Sequence, residues 1–411
     1  MSSKLFLSSG ITCLLLTFLI ITSVGASSAM WSRTYGGTDE DAAFSLVETS
    51  DGGYALAGYT KSFDTHAFWL VKTDANGNAE WKQTYGGTHT DRAYSLVETS
   101  DGGYALVGGS LLVKTDAKGS MLWNRTIGGQ FRSLIETSDG GYAMAGNIWG
   151  IKDAILMDFW LVKTDANGNE KWHRTYGGAN LDSASSLVET SDGGYAIAGA
   201  TTEIGSGDGD CWLIKTDSDG NIQWNQTYGG TSDDVAESLI GTSDGGYALA
   251  GSTSSFGAGE DDFWLIKTDV NGNMEWNQTY GGAEPDRASS LVETSDGGYA
   301  LAGYTTSFDT NAFWLVKTDA NGNAEWNQTY GGTHNDRAFS LVETSDGGYA
   351  LAGYTTSLGA GESDFWLVKT DEHGIIPEFP SWTLLLIMLV AVMVVAIIYR
   401  RNIRKHDYGM E

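Results

Sequence analysis

The stretch FSLVETSDGGYALAGYTKSFDTHAFWLVKTDANGNAEWKQTYGG, residues 44–87, decides the fold, because the chain of 411 residues contains seven versions of it. It holds four segments rich in Val, Leu, Phe, Trp, Tyr and Thr, residue types that favour strands. These segments are 44–49, 54–60, 68–74 and 79–85. The Asp-Gly and Asn-Gly pairs between them suit tight hairpin turns. Each copy is therefore predicted to form four antiparallel strands, named a to d in chain order.

The copies are spaced about 50 residues apart, and we number them repeats 1 to 7. Their common Asp-Gly-Gly-Tyr-Ala motif starts at Asp51, Asp101, Asp139, Asp192, Asp244, Asp296 and Asp346. A Lys-Thr-Asp motif ends strand c in every copy, and a Trp stands in every strand d. A period of this length is typical of solenoids, propellers and arrays. Four-stranded antiparallel units favour a β-propeller.

The two ends of the repeat region complement each other. The region begins with a lone strand d, residues 30–35, and ends after strand c at Asp371 without a strand d of its own. A ring solves this mismatch, whereas an open solenoid would leave both ends exposed to edge-to-edge association. The sequence therefore predicts an all-β, seven-bladed β-propeller over residues 30–374, closed by its N-terminal strand.

Two repeats have shortened connections. Gly108-Gly109-Ser110 leads almost directly into strand c of repeat 2, and Gly128-Gly129 is followed at once by strand a of repeat 3. One sector of the ring is therefore expected to lack its long loops.

The termini have the composition of targeting segments. Residues 1–29 combine a lysine, an apolar run and small residues, which predicts a signal peptide. Residues 383–399 are apolar and uncharged and are followed by a basic tail at 400–411, which predicts a transmembrane helix with a cytoplasmic tail. The propeller would then lie outside the cell, anchored in the membrane. The chain has 24 Lys and Arg against 52 Asp and Glu, a net charge of −28 that argues against nucleic acid as a partner.

The linker before the apolar segment, residues 375–382, contains Pro377-Glu378-Phe379. With the apolar helix and basic tail, this motif resembles the C-terminal sorting signals of archaeal surface proteins handled by archaeosortases. The resemblance implies cleavage and lipid attachment near the motif, and the alternative is a plain membrane anchor. The run Asp74, Gly77 and Trp81 resembles the c–d hairpin of quinoprotein-type propellers. The whole chain resembles repeat-built surface propellers of methanogenic archaea.

The connections between strands differ in variability. The a–b and c–d turns, at one end of the blades, are nearly the same in every repeat, whereas the b–c and d–a loops at the other end vary. Because variable loops on a rigid scaffold commonly carry binding sites, the second end is predicted to bind a ligand. An aspartate recurs in or beside its d–a loops, at Asp41, Asp91, Asp182, Asp234, Asp286 and Asp336. These carboxylates could bind a cation or a polyol at the channel mouth, or each could cap its own loop.

Two further motifs suggest modification or metal binding. The tripeptides at Asn124, Asn225, Asn277 and Asn327 are glycosylation sequons in strand d. The turn from Asp74 to Asn78 is rich in oxygen donors but lacks the length and distal Glu of a calcium loop, so a plain hairpin turn is the alternative to calcium. No cofactor and no other metal site is predicted.

The sequence shows no hydrolase, phosphate-binding or dinucleotide-binding motif. We therefore expect a non-catalytic interaction, adhesion or envelope module that binds a glycan or a surface protein through its variable loops. The alternatives are an extracellular hydrolase or oxidoreductase with a site at the channel mouth, and a purely structural envelope component.

Overall fold

The computed structural model describes residues 30–376, except 64–65, 87–90, 150–156 and 308–310, together with residues 389, 392, 393 and 396. Residues 32–375 form one compact unit. The described part of the chain contains 26 strands in an all-β arrangement.

The strands follow the repeats, with tight turns at the expected places. The first strand is β1 (Trp31–Tyr35). Repeat 1 forms β2 (Asp41–Glu48), β3 (Tyr54–Thr60), β4 (Ala67–Thr73) and β5 (Ala79–Tyr85). Repeats 2 and 3 form β6 (Ser95–Glu98), β7 (Tyr104–Thr115), β8 (Met121–Glu136), β9 (Tyr142–Trp149), β10 (Met157–Thr164) and β11 (Glu170–Tyr176). Repeat 4 forms β12 (Asp182–Glu189), β13 (Tyr195–Thr201), β14 (Asp210–Thr216) and β15 (Ile222–Tyr228).

The later repeats keep the same plan. Repeat 5 forms β16 (Asp234–Gly241), β17 (Tyr247–Thr253), β18 (Asp262–Thr268) and β19 (Met274–Tyr280). Repeat 6 forms β20 (Asp286–Glu293), β21 (Tyr299–Thr305), β22 (Ala312–Thr318) and β23 (Ala324–Tyr330). Repeat 7 forms β24 (Asp336–Glu343), β25 (Tyr349–Thr355) and β26 (Asp364–Lys369).

The predicted ring closure is confirmed. β1 lies beside β26 in the last sheet, whose strand order is β1-β26-β25-β24. A further bond joins the two ends of the repeat region, since the backbone N–H of Ser345 donates to the carboxylate of Glu48 over 2.8 Å. The first strand therefore completes the sheet that the last repeat leaves one strand short.

The predicted number of blades is wrong. The ring has six sheets, five of four strands and one of six, and the six-stranded sheet contains both repeat 2 and repeat 3. β8 runs without interruption from strand d of repeat 2 into strand a of repeat 3, because no loop follows Gly128-Gly129. The missing d–a loop therefore fuses two expected blades into one sheet.

The missing b–c loop of repeat 2 is replaced by a reversal within β7. Twelve extended residues would span roughly 36 Å. A Cβ atom built on Gly103, just before β7, would nevertheless lie 2.2 Å from the carbonyl oxygen of Thr115, its last residue. The chain therefore doubles back inside this element, where Gly109 has a φ of 52°. A left-handed backbone of this kind favours glycine.

Packing between the repeats depends on the Trp of strand d. Trp224 packs edge-on against Tyr247 of the next repeat, with ring centroids 5.8 Å apart. The same Trp covers the next c–d turn so closely that a Cβ on Gly272 would lie 2.5 Å from its ring. Equivalent ring pairs follow Trp81, Trp123, Trp172, Trp276 and Trp326. These tryptophans therefore anchor each repeat to the next.

The predicted signal peptide (1–29), the Pro377-Glu378-Phe379 motif and the basic tail (400–411) lie outside the described residues, as does nearly all of the predicted transmembrane helix (383–399). Among the residues that are described, none belongs to a helix with the length and apolar character needed to cross a membrane.

Candidate functional site

The recurring aspartates of the d–a loops brace those loops. Asp234 is fully buried, and its Oδ2 accepts hydrogen bonds from the backbone N–H of Gly230 and the hydroxyl of Ser255, each 2.7 Å long. Asp41, Asp286 and Asp336 are also fully buried and make the same pair of bonds. Asp182 is buried and accepts from Gly178, whereas Asp91 is partly exposed. This geometry supports the interpretation that each aspartate caps its own loop. It does not support the alternative, a ring of carboxylates that is open to a ligand.

A second set of aspartates, which the sequence reasoning missed, lies against the first. These residues begin or lie in strand c, at Asp158, Asp210, Asp262 and Asp364. Asp262 Oδ2 accepts from the N–H of Ala258 over 2.7 Å. A Cβ on Gly281 would lie 1.8 Å from Asp262 Oδ1 and 2.7 Å from Asp286 Oδ2, so the glycine is needed where the two carboxylates converge. Their recurrence after loops of unequal length was the signal available in the sequence.

One such pair has altered proton affinity. Burial raises the pKa of both Asp158 and Asp182, and the charge of Glu203 raises both further. Within the described ranges, no group of three or more His, Cys, Asp or Glu side chains has the geometry to hold a metal ion.

The turn considered for calcium uses its carboxylate internally. Asp74 Oδ1 accepts from the backbone N–H groups of Asn76 and Asn78, at 2.9 and 2.8 Å, and its Oδ2 accepts from the side chain of Asn78. These bonds lower the pKa of Asp74. They are the bonds of an Asx-type turn.

The sequon asparagines are exposed; Asn225, Asn277 and Asn327 lie on the edge strands β15, β19 and β23, whereas Asn124 lies on β8, between β7 and β9. The Oδ1 atoms of Asn225, Asn277 and Asn327 accept hydrogen bonds from the strand-c tryptophans Trp212, Trp264 and Trp314, at 3.1–3.2 Å. The side-chain amide of Asn124 lies 3.4 Å from the sulfur of Met121. Whether these asparagines carry glycans stays a prediction.

The most regular motifs of the sequence form ion pairs beside the a–b turns, each between a buried lysine and an aspartate whose side chain is 36–60 % exposed. In repeat 2, the ammonium of Lys114 lies 2.8 Å from Asp101 and donates to the carbonyl oxygen of Thr115 over 2.9 Å, with its side chain 5 % exposed. Burial opposes ionisation of Asp101, but Lys114, Thr99 and Gly103 outweigh it and lower its pKa to about 2. Every repeat has the equivalent pair. These ion pairs explain why the a–b turns are nearly the same in every repeat.

A β-bulge in strand a directs one residue of most repeats toward the centre of the ring. The pairing of strands a and b skips Phe44, Arg132, Ser185, Glu237, Ser289 and Phe339. A bulge of this kind re-aims a side chain. Phe44 contacts its equivalents on both sides, Phe339 and Tyr94, with ring centroids 5.0 Å apart in each case. Such contacts between successive repeats require these positions to converge near the axis.

The ring of bulge residues is polar on its other side. Glu237 of repeat 5 interacts with Arg132 of repeat 3 and Ser185 of repeat 4. Its side chain has exposed surface, yet protein surrounds it, as expected inside a channel. Loss of hydration raises the pKa of Glu237, which Arg132 and the hydrogen bond from Ser185 oppose. The channel therefore has an aromatic arc on one side and a charged arc on the other.

A cavity of about 450 Å³ lies above the aromatic arc, where repeat 7 meets repeat 1. Its volume is within the range of small-ligand sites. Its lining residues are Glu40, Ala42, Phe44, Tyr59, Arg92, Phe339, Tyr354, Thr356, Glu362 and Ser363. They come mainly from strands a and b and from the b–c and d–a loops, so the cavity is at the end of the blades predicted to bind a ligand. We call it the junction cavity.

Comparison with known proteins identifies the fold. No family model matches the chain, and no curated protein matches it. Among solved structures, the WD40 domain of Pan2 from Neurospora crassa has a TM-score of 0.53 at 12 % identity, covering 81 % of this chain and 90 % of its own. Sqt1 from Chaetomium thermophilum has a TM-score of 0.50 at 13 % identity, covering 79 % and 83 %. BamB from Moraxella catarrhalis has a TM-score of 0.42 at 11 % identity, covering 79 % and 85 %. At these identities the first two likenesses show only that the chain has a β-propeller fold.

Proposed function

We propose that this protein is a non-catalytic binding module of the cell surface, whose ligand, a glycan or a surface protein, docks at the end of the blades that carries the b–c and d–a loops. The proposal of a surface location rests on the composition of residues 1–29 and 383–411. The proposal of binding rests on a rigid scaffold that presents variable loops.

One observation supports this function best. The turn end of the blades is occupied by ion pairs and turn hydrogen bonds, whereas the loop end has the junction cavity, with four aromatic rings and both signs of charge in its lining. Binding sites typically combine an apolar or aromatic lining with a few polar groups that orient the ligand. The two ends of the blades therefore differ in the way that a binding module requires.

The test is a binding screen of the purified full chain against arrays of polysaccharides and of peptides. Glu362 lines the junction cavity and is exposed, and Glu362→Lys should remove at least tenfold of any affinity found. Asp219→Lys makes the same change of charge on an exposed c–d turn and serves as the matched control. Loss of binding in the control alone, or in neither variant, would contradict the assignment to the loop end.

A second candidate function is hydrolysis at the channel, favoured by the raised pKa of Glu237 beside Arg132. Perturbed carboxylates of this kind are common at active sites. Turnover of an array polysaccharide that Glu237→Gln abolishes, with folding intact, would establish this function in place of the first.

A further inference from the structure

Two tyrosines near the channel mouth are each covered by an arginine of the next repeat. The guanidinium of Arg337, in repeat 7, lies 4.1 Å from the ring centre of Tyr304 in repeat 6. The guanidinium of Arg92, in repeat 2, lies 4.6 Å from the ring centre of Tyr59 in repeat 1. Both distances are those of cation–π stacking.

The position of these arginines is set by the strand register. Arg337 and Arg287 occupy the second place of strand a, directly after the buried aspartate, and Ala42 occupies the same place in repeat 1. Repeat 5 has Ser252 where repeats 1, 6 and 7 have the tyrosine, and there Arg287 instead binds Asp261 of repeat 5, with its Nε 2.8 Å from the carboxylate. At three junctions, those of repeats 1 and 2, 5 and 6, and 6 and 7, a side chain of the earlier repeat therefore binds the arginine of the next one.

The junction of repeats 7 and 1 has the tyrosine but not the arginine. Tyr354 is the equivalent of Tyr304 and Tyr59, and the residue that should cover it is Ala42. Within the described part of the chain, no cationic side chain is stacked on the ring of Tyr354; Arg337 lies beside it as its cross-strand partner but stacks on Tyr304. Ala42 and Tyr354 both line the junction cavity, so the cavity lies where a sister repeat would place its guanidinium.

The charges around the cavity leave one carboxylate for a cationic ligand. Glu40 is already paired with Lys61, and Arg92 stacks on Tyr59. Glu362 is exposed and makes no hydrogen bond or ion pair with the described residues. A guanidinium over Tyr354 would therefore have a tyrosine face, an unpaired carboxylate at the rim and, through the net charge of −28, long-range attraction toward the protein.

Resting on the proposed function, we infer that the junction cavity binds the arginine side chain of a partner polypeptide, with its guanidinium stacked on Tyr354 and paired with Glu362. A planar guanidinium both stacks on an aromatic face and pairs with a carboxylate, whereas an ammonium is a compact and strongly hydrated charge. The internal arginines of repeats 2 and 7 show which group this position accommodates. The space beyond a single side chain would receive the residues that flank the arginine.

The experiment uses acetyl-Gly-Arg-Gly-amide and its citrulline analogue, which is neutral and nearly the same shape, in ligand-observed NMR titrations of the full chain. We expect the arginine peptide to bind at least tenfold more tightly than the citrulline peptide. Free arginine is titrated in parallel and should bind more weakly than the peptide. Equal affinity for the arginine and citrulline peptides, or tighter binding of the free amino acid, would overturn the inference.

Two variants make the test specific to the cavity. Ala42→Arg supplies the missing side chain from within and should weaken binding at least tenfold. Arg337→Ala uncovers Tyr304 and should create a second site, and the double variant should again bind through Tyr304 alone. Circular dichroism and thermal unfolding check that each variant folds. Undiminished binding in Ala42→Arg would refute the assignment.

The same measurements separate this inference from the proposed function. A polysaccharide that binds in the array and is lost in Glu362→Lys, with no binding of the arginine peptide, would overturn the arginine site but support a binding module. Arginine binding that Ala42→Arg removes, with no polysaccharide bound, supports both.

Discussion

Replacing Asp101 with Asn should destabilise the protein more than replacing Asp51 with Asn, although the two residues are equivalent in adjacent repeats. Each carboxylate faces a lysine with at most 5 % of its side chain exposed, and each bonds the Thr hydroxyl and Gly N–H of its own turn. The difference is a second carboxylate. Glu80 lies 3.2 Å from Lys72 in repeat 1, whereas repeat 2 has Leu122 at that place.

The expected loss of unfolding free energy depends on whether the buried lysine keeps another carboxylate after the substitution. Breaking a buried ion pair by removing one partner costs roughly 3–5 kcal/mol, because the other charge stays buried and uncompensated. Asp101→Asn leaves the buried Lys114 without a carboxylate. Because the side chain of Asp101 is 58 % exposed, water screens this pair, and the amide oxygen can still accept a hydrogen bond, so we expect about 2 kcal/mol. Asp51→Asn leaves Lys72 paired with Glu80, so the loss is nearer that of one charged hydrogen bond weakened to a neutral one, about 1 kcal/mol.

The assay is equilibrium unfolding in urea of the two variants and the parent, at neutral pH and again in 1 M salt. The difference of about 1 kcal/mol between the variants should fall only in part in high salt, because the lysines are buried although the aspartates are exposed. Equal destabilisation by the two substitutions would refute the reasoning, since it would mean that Glu80 does not compensate Lys72.

Three further predictions concern the contacts between repeats and their acid sensitivity. Gly241 occupies the place of a Glu that elsewhere accepts from the preceding repeat's Ser, and a Cβ built on it meets no atom within 4 Å. Gly241→Glu should therefore stabilise the protein by about 1 kcal/mol in thermal unfolding, more than Gly241→Ala, by bonding Ser191; equal gains would contradict this. The hydroxyl of Tyr228 donates to the carbonyl oxygen of Gly272 over 2.6 Å in a buried contact, so Tyr228→Phe should cost about 1–2 kcal/mol, measured in the same assay, and no change would contradict it. The hydrogen bonds from Lys267 and Thr242 lower the pKa of Asp244 to about 2, below its unfolded value of about 3.9. The contribution of Asp244 is present above pH 4 and is lost as the pH falls toward 2, so urea unfolding should show a decline in stability below pH 4, which Asp244→Asn should lessen.

Much of the site could be located from the sequence but not identified. The loop end of the blades follows from the variability of loops such as 203–210 and 254–262, and the junction cavity lies there. The recurring aspartates were the more conspicuous signal, yet five of the six are buried under their own loops. The decisive residue, Ala42, is unremarkable in a list of residues. The role that we infer for Ala42 depends on Tyr354, which lines the same cavity but comes from the other end of the repeat region.

The sequence by itself determined the strands, their turns and the closure of the ring, because these depend on local patterns and on a strand surplus at one end that matches a deficit at the other. Only the tertiary structure decided that repeats 2 and 3 share a sheet, since a connection too short to leave a sheet lets β8 continue from one repeat into the next. It alone also decided that Ala42 and Tyr354 line one cavity, whereas Tyr59 and Tyr304 are each stacked with an arginine of the next repeat. Ala42 and Tyr354 are more than 300 positions apart, and only the closed ring brings them together.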